Sequence, residues 1–548
     1  MEHSLKTSDK HLSIPTDGVP HLNSIKCSGL EFIHFAKRLK DGNLFKYVTS
    51  GIVGIIGAAI ILSLTYRYGA GLTPDSAAYL SAASNLAEDN GFLTYNGLHL
   101  VIQPPLYSII LAVIKKTTLV DPRIAAGYLN AVLFGFIIYL SGLLLLRYLN
   151  SFALVFLGIV SVLLSYTLIQ ASFMVLSELL FIFLVLLFLY YFGKYQMKGD
   201  FISLFLFSAS ASLACLTRYT GVIMIAAGIL SVVFWSKNSN KEKFWHSVIF
   251  LLITVLPISL WIIRNYFISG TLVGLRASSS YTLFENFSFL YKTVLPWYLP
   301  LNLTGISFIL ILLLPVIWIF FKSSGHISWN GDGIKLIGPS LLFVLLYAGI
   351  ILISSTTTAY DRISDRLLSP IYIPMLFILF FIAERVLIWL REKTHLKSIT
   401  LFVVIGIVLL MSFPVKKTIR VTEQFILQAG WGFSSQEWRE NRTIKYLNQH
   451  KHLGKSYTLY SNEPEAVYIL TCLTTKCSPP KRFYNSPQLF DITGNPKESW
   501  RKGEDVCLVW LTNSTRSYLF SIDELQKHIS MTKIASLKDG KIYTFLIK

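Results

Sequence analysis

Thr73–Tyr107, TPDSAAYLSAASNLAEDNGFLTYNGLHLVIQPPLY, is the stretch whose reading decides the fold of this chain. It is polar, begins with an acidic residue, closes on Pro-Pro-Leu-Tyr and lies between strongly apolar segments. Polar sequence beside runs of membrane length either sits in water as a loop or lines a cavity, because hydrocarbon does not tolerate unpaired backbone groups. Within it Asp75, Tyr79, Ala82 or Ala83, and Leu86 recur at helical spacing, and Gly91 is placed to end the helix. Asp after Thr-Pro is a good N-cap. The local sequence therefore reads Asp75 as a cap, as a reactive carboxylate, or as both, since a helix start gives the side chain a fixed direction.

Composition sets the class of protein. The 548 residues are 53% hydrophobic and only 14% charged, with a mean hydropathy of +0.55, which excludes a soluble globular chain. Apolar runs of about 20 residues recur, each long enough to cross the hydrocarbon core. Spans are expected at 47–66, 122–147, 151–169, 171–193, 201–217, 219–236, 246–263, 302–321, 337–354, 368–390 and 398–413. The polar first 46 residues lack the apolar core of a cleavable signal, and LEFIHFAKRLKDGNLFKYV within them is patterned as an amphipathic surface helix.

The net charge of +19 is spread through short loops rather than gathered into one patch, so it is read as topogenic and not as a nucleic-acid surface. Basic loops at Arg147, Lys194 and Lys198, Lys237 to Lys243, and Arg391 to Lys397 fall on one side when the amino terminus is cytoplasmic. PPLYSIILAVIKKTTLV is too short for a span and is read as an interfacial or re-entrant helix. From Pro414 the composition turns mixed, with SYTLYSN, DVCLVWL and KIYTFLI patterned as strands and SIDELQKHI as a helix. Five cysteines are too few for a disulfide scaffold, although Cys472 and Cys477 lie close enough to bridge.

The expected architecture is an all-α polytopic membrane protein of about eleven transmembrane helices with a small C-terminal α/β extracytoplasmic domain. Residues 1–46 are a cytoplasmic tail, 47–413 the membrane domain with an outer loop at 67–121, and 414–548 the outer domain.

Polar groups return to the outer face in a pattern. Glu178, in ASFMVLSELLFIF, is read about two turns inside the fourth span, where an ionisable group is costly and marks function or a structural bond to a neighbouring helix or arginine. Arg218 and Tyr219 stand in LTRYTG, Arg264 in WIIRNY, and Asp361, Arg362, Asp365 and Arg366 in TAYDRISDRLLSP. A single arginine here would snorkel to the interface; several, together with carboxylates, can surround a cavity that accepts a phosphate.

An Asp opening a helix in the first outer loop, the later PPLY, SELLF, LTRYTG and an Arg-Leu-Leu-x-Pro before a late span together resemble the GT-C glycosyltransferases. The likeness covers roughly residues 45–415 and is nearest to bacterial members similar to protein O-mannosyltransferases and the lipid A aminoarabinose transferase (families 39 and 83). GWGFSSQEW and YSNEP in the tail resemble bacterial members as well. Asp75 is followed by Ser76 where many members have an acidic pair, and RLLSP replaces the commoner Arg-Tyr form. The resemblance implies a GT-C-like fold and transfer of a sugar from a polyprenyl-phosphate donor to a lipid, glycan or protein acceptor at the outer face of the bacterial inner membrane. Asp75 takes the role of general base, and Glu178 orients the acceptor or an arginine. Tyr79, Pro104, Pro105, Tyr107, Arg218, Tyr219, Arg264, Asp361 and Arg366 bind substrate. The carrier's tail lies among membrane lipids and helices. No cofactor is required, and no DxD motif stands in the loop to demand a divalent metal. The alternatives are a transporter, whose sites lie near the midplane of repeated helices, and a glycan polymerase or ligase.

Overall fold

The computed structural model describes residues 44–298, 332–394, 399–490 and 495–547. The surface helix expected before residue 44 lies largely outside them, and the span expected at 302–321 lies wholly outside. The described residues begin in a helix, from Leu44.

Among the described residues, eight helices are long and apolar enough to cross a membrane. They are Leu44–Tyr68, Pro122–Tyr148, Phe152–Phe173, Glu178–Lys198, Asn240–Ser269, Ile337–Thr357, Asp365–Glu392 and Thr400–Leu427. Phe201–Thr217 and Tyr219–Trp235 are shorter apolar helices at the fifth and sixth expected spans. Helices are the form such runs must take, because every backbone N–H and C=O is then satisfied within its own segment. The first and second of these helices cross closely. A Cβ at Gly54 would stand 2.7 Å from the Gly135 carbonyl oxygen, so the pair meets through small residues, as membrane helices commonly do.

The third expected span contains a surprise. Its helix is interrupted after Leu163, resumes as Tyr166–Phe173, and is followed by non-helical backbone at 174–177 before Glu178 begins the next helix. Glu178 is thus in the first turn of its helix and not two turns inside it, a correction to the reading of 171–193 as one span. No Pro or Gly marks the break. It is held open from outside, by Asn130 Nδ2 donating to the Ser172 and Met174 carbonyls at 3.1 and 2.7 Å and by Gly71, whose carbonyl accepts from Val175 N–H at 2.9 Å.

PPLY opens a 13-residue helix, Leu106–Thr118, that is about half the length of the 27-residue helix Pro122–Tyr148 after it. The last span helix runs on through Pro414 to Leu427. Beyond it a five-stranded sheet has the order β2-β1-β3-β5-β4, with β1 Thr458–Ser461, β2 Lys476–Cys477, β3 Asp505–Leu511, β4 Thr532–Leu537 and β5 Gly540–Leu546. β1 pairs in parallel with β2 and β3, and β5 is antiparallel to β3 and β4. Period-two alternation divides its core. Val506, Leu508, Tyr543 and Phe545 pack on one face, and Cys507, Val509 and Ile542 on the other with Ile444, Leu447 and Val467. Cys472 and Cys477 are both unpaired.

Candidate active site

The helix Pro74–Ala87 begins in a capping box in which Thr73 and Ser76 exchange bonds. Thr73 N–H donates to Ser76 Oγ at 2.9 Å, and Ser76 N–H to Thr73 Oγ1 at 3.4 Å. Thr73 is therefore the cap, not Asp75, and Ser76 also donates to the Val175 carbonyl at 2.9 Å. Ser76 therefore has a structural task. Relieved of capping, the Asp75 carboxylate projects from the first turn and meets the Arg366 guanidinium.

Arg366 bridges two carboxylates. Its Nη2 is paired with Asp75 Oδ2, and its Nε lies 2.7 Å from Glu178 Oε1. Glu178 is 1% exposed and takes a second guanidinium, Arg218, at 2.8 Å. Two cations around one buried carboxylate supply the compensation that burial demands. Gln103 Nε2 donates to Asp75 Oδ1 at 3.2 Å, and Asp361 lies 3.7 Å from Arg366 Nη1. Tyr79, one helical turn after Asp75, shares a 2.9 Å hydrogen bond with Ser177 and meets Tyr107 edge-on at 5.1 Å between ring centroids. Burial holds the Tyr79 phenol far above its usual pKa, so it acts as a neutral hydroxyl.

These groups border a cavity of about 640 Å³. Asp75, Tyr79, Pro104, Arg218, Tyr219, Asp361 and Arg366 line it, together with Gln103 and Arg276. Its far wall comes from the C-terminal region, through Glu463, Glu465, Arg516, Tyr484 and Tyr518. Arg516 Nη2 lies 3.0 Å from Glu463 and 2.7 Å from Glu465. Tyr484 donates to Asp361 at 2.9 Å, tying that wall to the Arg366 network. Among the described residues no group of three or more His, Cys, Asp and Glu side chains is placed to hold a metal ion.

Solved structures share this arrangement of helices and C-terminal sheet region over nearly the whole chain. ArnT from Cupriavidus metallidurans in the apo state matches 90% of this chain and 97% of its own, at 14% identity and a TM-score of 0.55. The same enzyme bound to undecaprenyl phosphate matches with the same coverage at 12% identity and a TM-score of 0.54. The oligosaccharyltransferase AglB from Archaeoglobus fulgidus, in complex with an inhibitory peptide and a dolichol-phosphate, covers 92% of this chain and 74% of its own at 12% identity and a TM-score of 0.50. The chain has the GT-C fold. No protein-family model and no curated protein matches the sequence.

Within the GT-C fold the remaining residues singled out from the sequence divide by position. Arg264 stands outside the cavity lining. Its Nη1 donates to the Leu100 carbonyl at 2.7 Å, and its guanidinium stacks 4.5 Å from the Trp261 ring centroid. Tyr219 donates to the next carbonyl, Val101, at 2.7 Å. The two hold consecutive peptide groups and so set Gln103 and Pro104 on the cavity rim. Pro105 is buried at the start of the Leu106–Thr118 helix, and Tyr107 packs beneath Tyr79. Gln103, a polar residue before Pro-Pro in an apolar run, had a local signal. Glu463 lay in YSNEP, but nothing local tied it, Glu465, Arg516 or Arg276 to Asp75, because that relation is purely spatial.

GWGF explains how the GT-C fold aims Asp75. Leu72 N–H donates to the Trp431 carbonyl at 3.0 Å, and Phe433 N–H returns to the Leu72 carbonyl at 2.9 Å. Gly432 between them has φ +60°, and a Cβ there would stand 2.1 Å from the Leu72 oxygen. The left-handed backbone alone costs a side chain about 1–2 kcal/mol. Gly432→Ala is therefore expected to lower the thermal midpoint of the detergent-purified protein and to displace the segment before Asp75. An unchanged midpoint would show that this pairing does not hold the helix start.

Proposed function

We propose that this protein is an integral membrane glycosyltransferase that moves a sugar from a polyprenyl-phosphate carrier to an extracytoplasmic lipid, glycan or protein acceptor. One observation carries the reading: the half-exposed Asp75 carboxylate shares the lining of one cavity, at one end of an apolar helical bundle, with the guanidinium groups of Arg218, Arg276 and Arg366. The solved GT-C structures that hold undecaprenyl phosphate and dolichol-phosphate support a lipid-linked donor.

The chemistry follows from the groups present. Asp75 accepts the proton of the acceptor hydroxyl or amine as that atom attacks the anomeric carbon. The bond from that carbon to the phosphate oxygen breaks, and the electron pair leaves with the polyprenyl phosphate. Negative charge gathers on the phosphate, where Arg366, Arg218 and Arg276 stabilise it from positions set before the reaction begins. Glu178 positions Arg366 and Arg218 without touching the reacting atoms. An apolar crevice of about 290 Å³, lined by Leu164, Tyr372, Leu376, Phe380, Ile407 and Met411, flanks the helix that starts at Asp365 and suits the first isoprene units of the carrier.

The test is mass spectrometry of cell-envelope glycans and glycolipids from cells with and without this protein. One sugar-bearing species should disappear, and its precursor accumulate; identical profiles would overturn the reading. The reading also places the amino terminus in the cytoplasm and the cavity outside, in the bacterial inner membrane. In a variant lacking Cys472 and Cys477, cysteines introduced at the exposed positions Asn90 and Ser536 should both react with a membrane-impermeant maleimide in whole cells. Labelling only after the membrane is broken would invert the topology.

A further inference from the structure

The cavity is polarised along its length, and we infer that its C-terminal wall is a recognition site for the hydroxyl-bearing ring of the sugar. At the end that holds Asp75 the cations dominate. Arg218, Arg276 and Arg366 line the cavity with Asp75 and the largely exposed Asp361, whose side chain is 54% accessible. At the other end the proportion reverses, with two carboxylates, Glu463 and Glu465, sharing the single guanidinium of Arg516. All three side chains are at least 87% buried, Arg516 and Glu463 and Glu465 being 13, 10 and 9% exposed. A cluster so arranged is rich in hydrogen-bond acceptors. A carboxylate accepts at about four positions, and Arg516, Tyr95 and Ser514 leave some of them open.

The cluster is also built rigidly. Glu463 and Glu465 flank Pro464, whose ring restricts the backbone between them. Tyr95, from the loop that carries Asp75, donates its hydroxyl to Glu465 Oε1 at 2.9 Å. The loop that carries Asp75 and the C-terminal region are thus joined at Glu465, a residue of the cavity wall. Tyr484 and Tyr518 add aromatic surface to the same wall. Acceptors for several hydroxyl protons, one fixed donor fork and aromatic carbon surface are what a sugar ring requires. An anion is disfavoured here and favoured at the arginines, so the two ends impose one orientation on a sugar phosphate. This inference rests on the proposed transferase reading and adds which part of the donor meets which wall.

Binding separates the two claims. The probes are undecaprenyl phosphate and its glucosyl, mannosyl, galactosyl and arabinosyl esters, presented to the full chain in phosphatidylcholine nanodiscs. Wild type should bind at least one sugar-bearing carrier about tenfold more tightly than the bare carrier, the amount one or two charge-assisted hydrogen bonds supply. Glu465→Gln should erode that preference. The charge-free Glu463→Gln/Glu465→Gln/Arg516→Met, which strands no buried ion, should abolish it while bare-carrier affinity stays within about threefold of wild type. The inference is overturned if no ester is preferred by wild type or if the triple variant keeps the preference. It is equally overturned if both variants lose bare-carrier binding, since the cluster then serves the fold. Failure of wild type to bind the bare carrier would instead remove the transferase reading, and this inference with it.

Discussion

Asp75→Asn is expected to reduce sugar transfer by about 10²–10⁴-fold, the contribution of a positioned general base, and to leave the folded protein nearly as stable as before. The two halves of this result have separate causes. Asparagine keeps the size of the side chain and an oxygen for Gln103 Nε2, which lies 3.2 Å from Asp75 Oδ1, but it cannot take a proton from an acceptor. The helix start survives because Thr73 and Ser76 supply the cap. The lost ion pair is 36% exposed on the Asp75 side and 32% on the Arg366 side, where such pairs contribute about 1 kcal/mol or less. Transfer from a polyprenyl-phosphate-linked sugar, measured beside a thermal-unfolding curve, checks both halves. Transfer within about threefold of wild type would leave Asp75 without the role of base.

Glu178→Gln should fail in the opposite manner, losing stability and transfer together. Glu178 is 1% exposed and neutralises Arg218 and Arg366, its Oε1 lying 2.8 and 2.7 Å from their nearest nitrogens. Removing its charge leaves two guanidinium groups facing each other without their shared anion. Stranding a buried ion in this way typically costs about 3–5 kcal/mol. Arg366 also loses one of the two anchors that point it at Asp75, so transfer should fall by more than about tenfold through a misplaced cation. The charge-balanced Glu178→Gln/Arg218→Gln should regain much of the thermal midpoint without regaining transfer. That split separates positioning from mere support of the fold. A Glu178→Gln protein with wild-type midpoint and wild-type transfer would show that the network organises neither.

The comparison of Asp75 with Glu178 shows what kind of information each level holds. Asp75 was legible because a polar helix start between membrane-length runs is a local pattern, and so was the alternative that it caps its helix. Choosing between them needed Thr73 and Ser76 in place. Glu178 was legible as an ionisable residue in an apolar run, but its depth was misread. The break before it is imposed by Asn130 and Gly71, and nothing in ASFMVLSE announces it. Arg264 and Arg366 looked alike in sequence, each an arginine beside a span. One holds a loop carbonyl and the other bridges two carboxylates.

Hydropathy, charge placement and strand alternation are properties of neighbouring residues, and from them came the polytopic helical bundle, the extra-membrane sheet and the end of the bundle on which the polar groups gather. Solvent sets those features: a run of about 20 apolar residues has one stable place to be and one way to satisfy its backbone. Which guanidinium meets which carboxylate is decided by contacts between residues far apart in the chain, as are the passage of GWGF behind Leu72 and the closure of the cavity by Glu463, Glu465 and Arg516. Close packing and the pairing of buried charges select those contacts, and they exist only once the helices and the C-terminal region have come together.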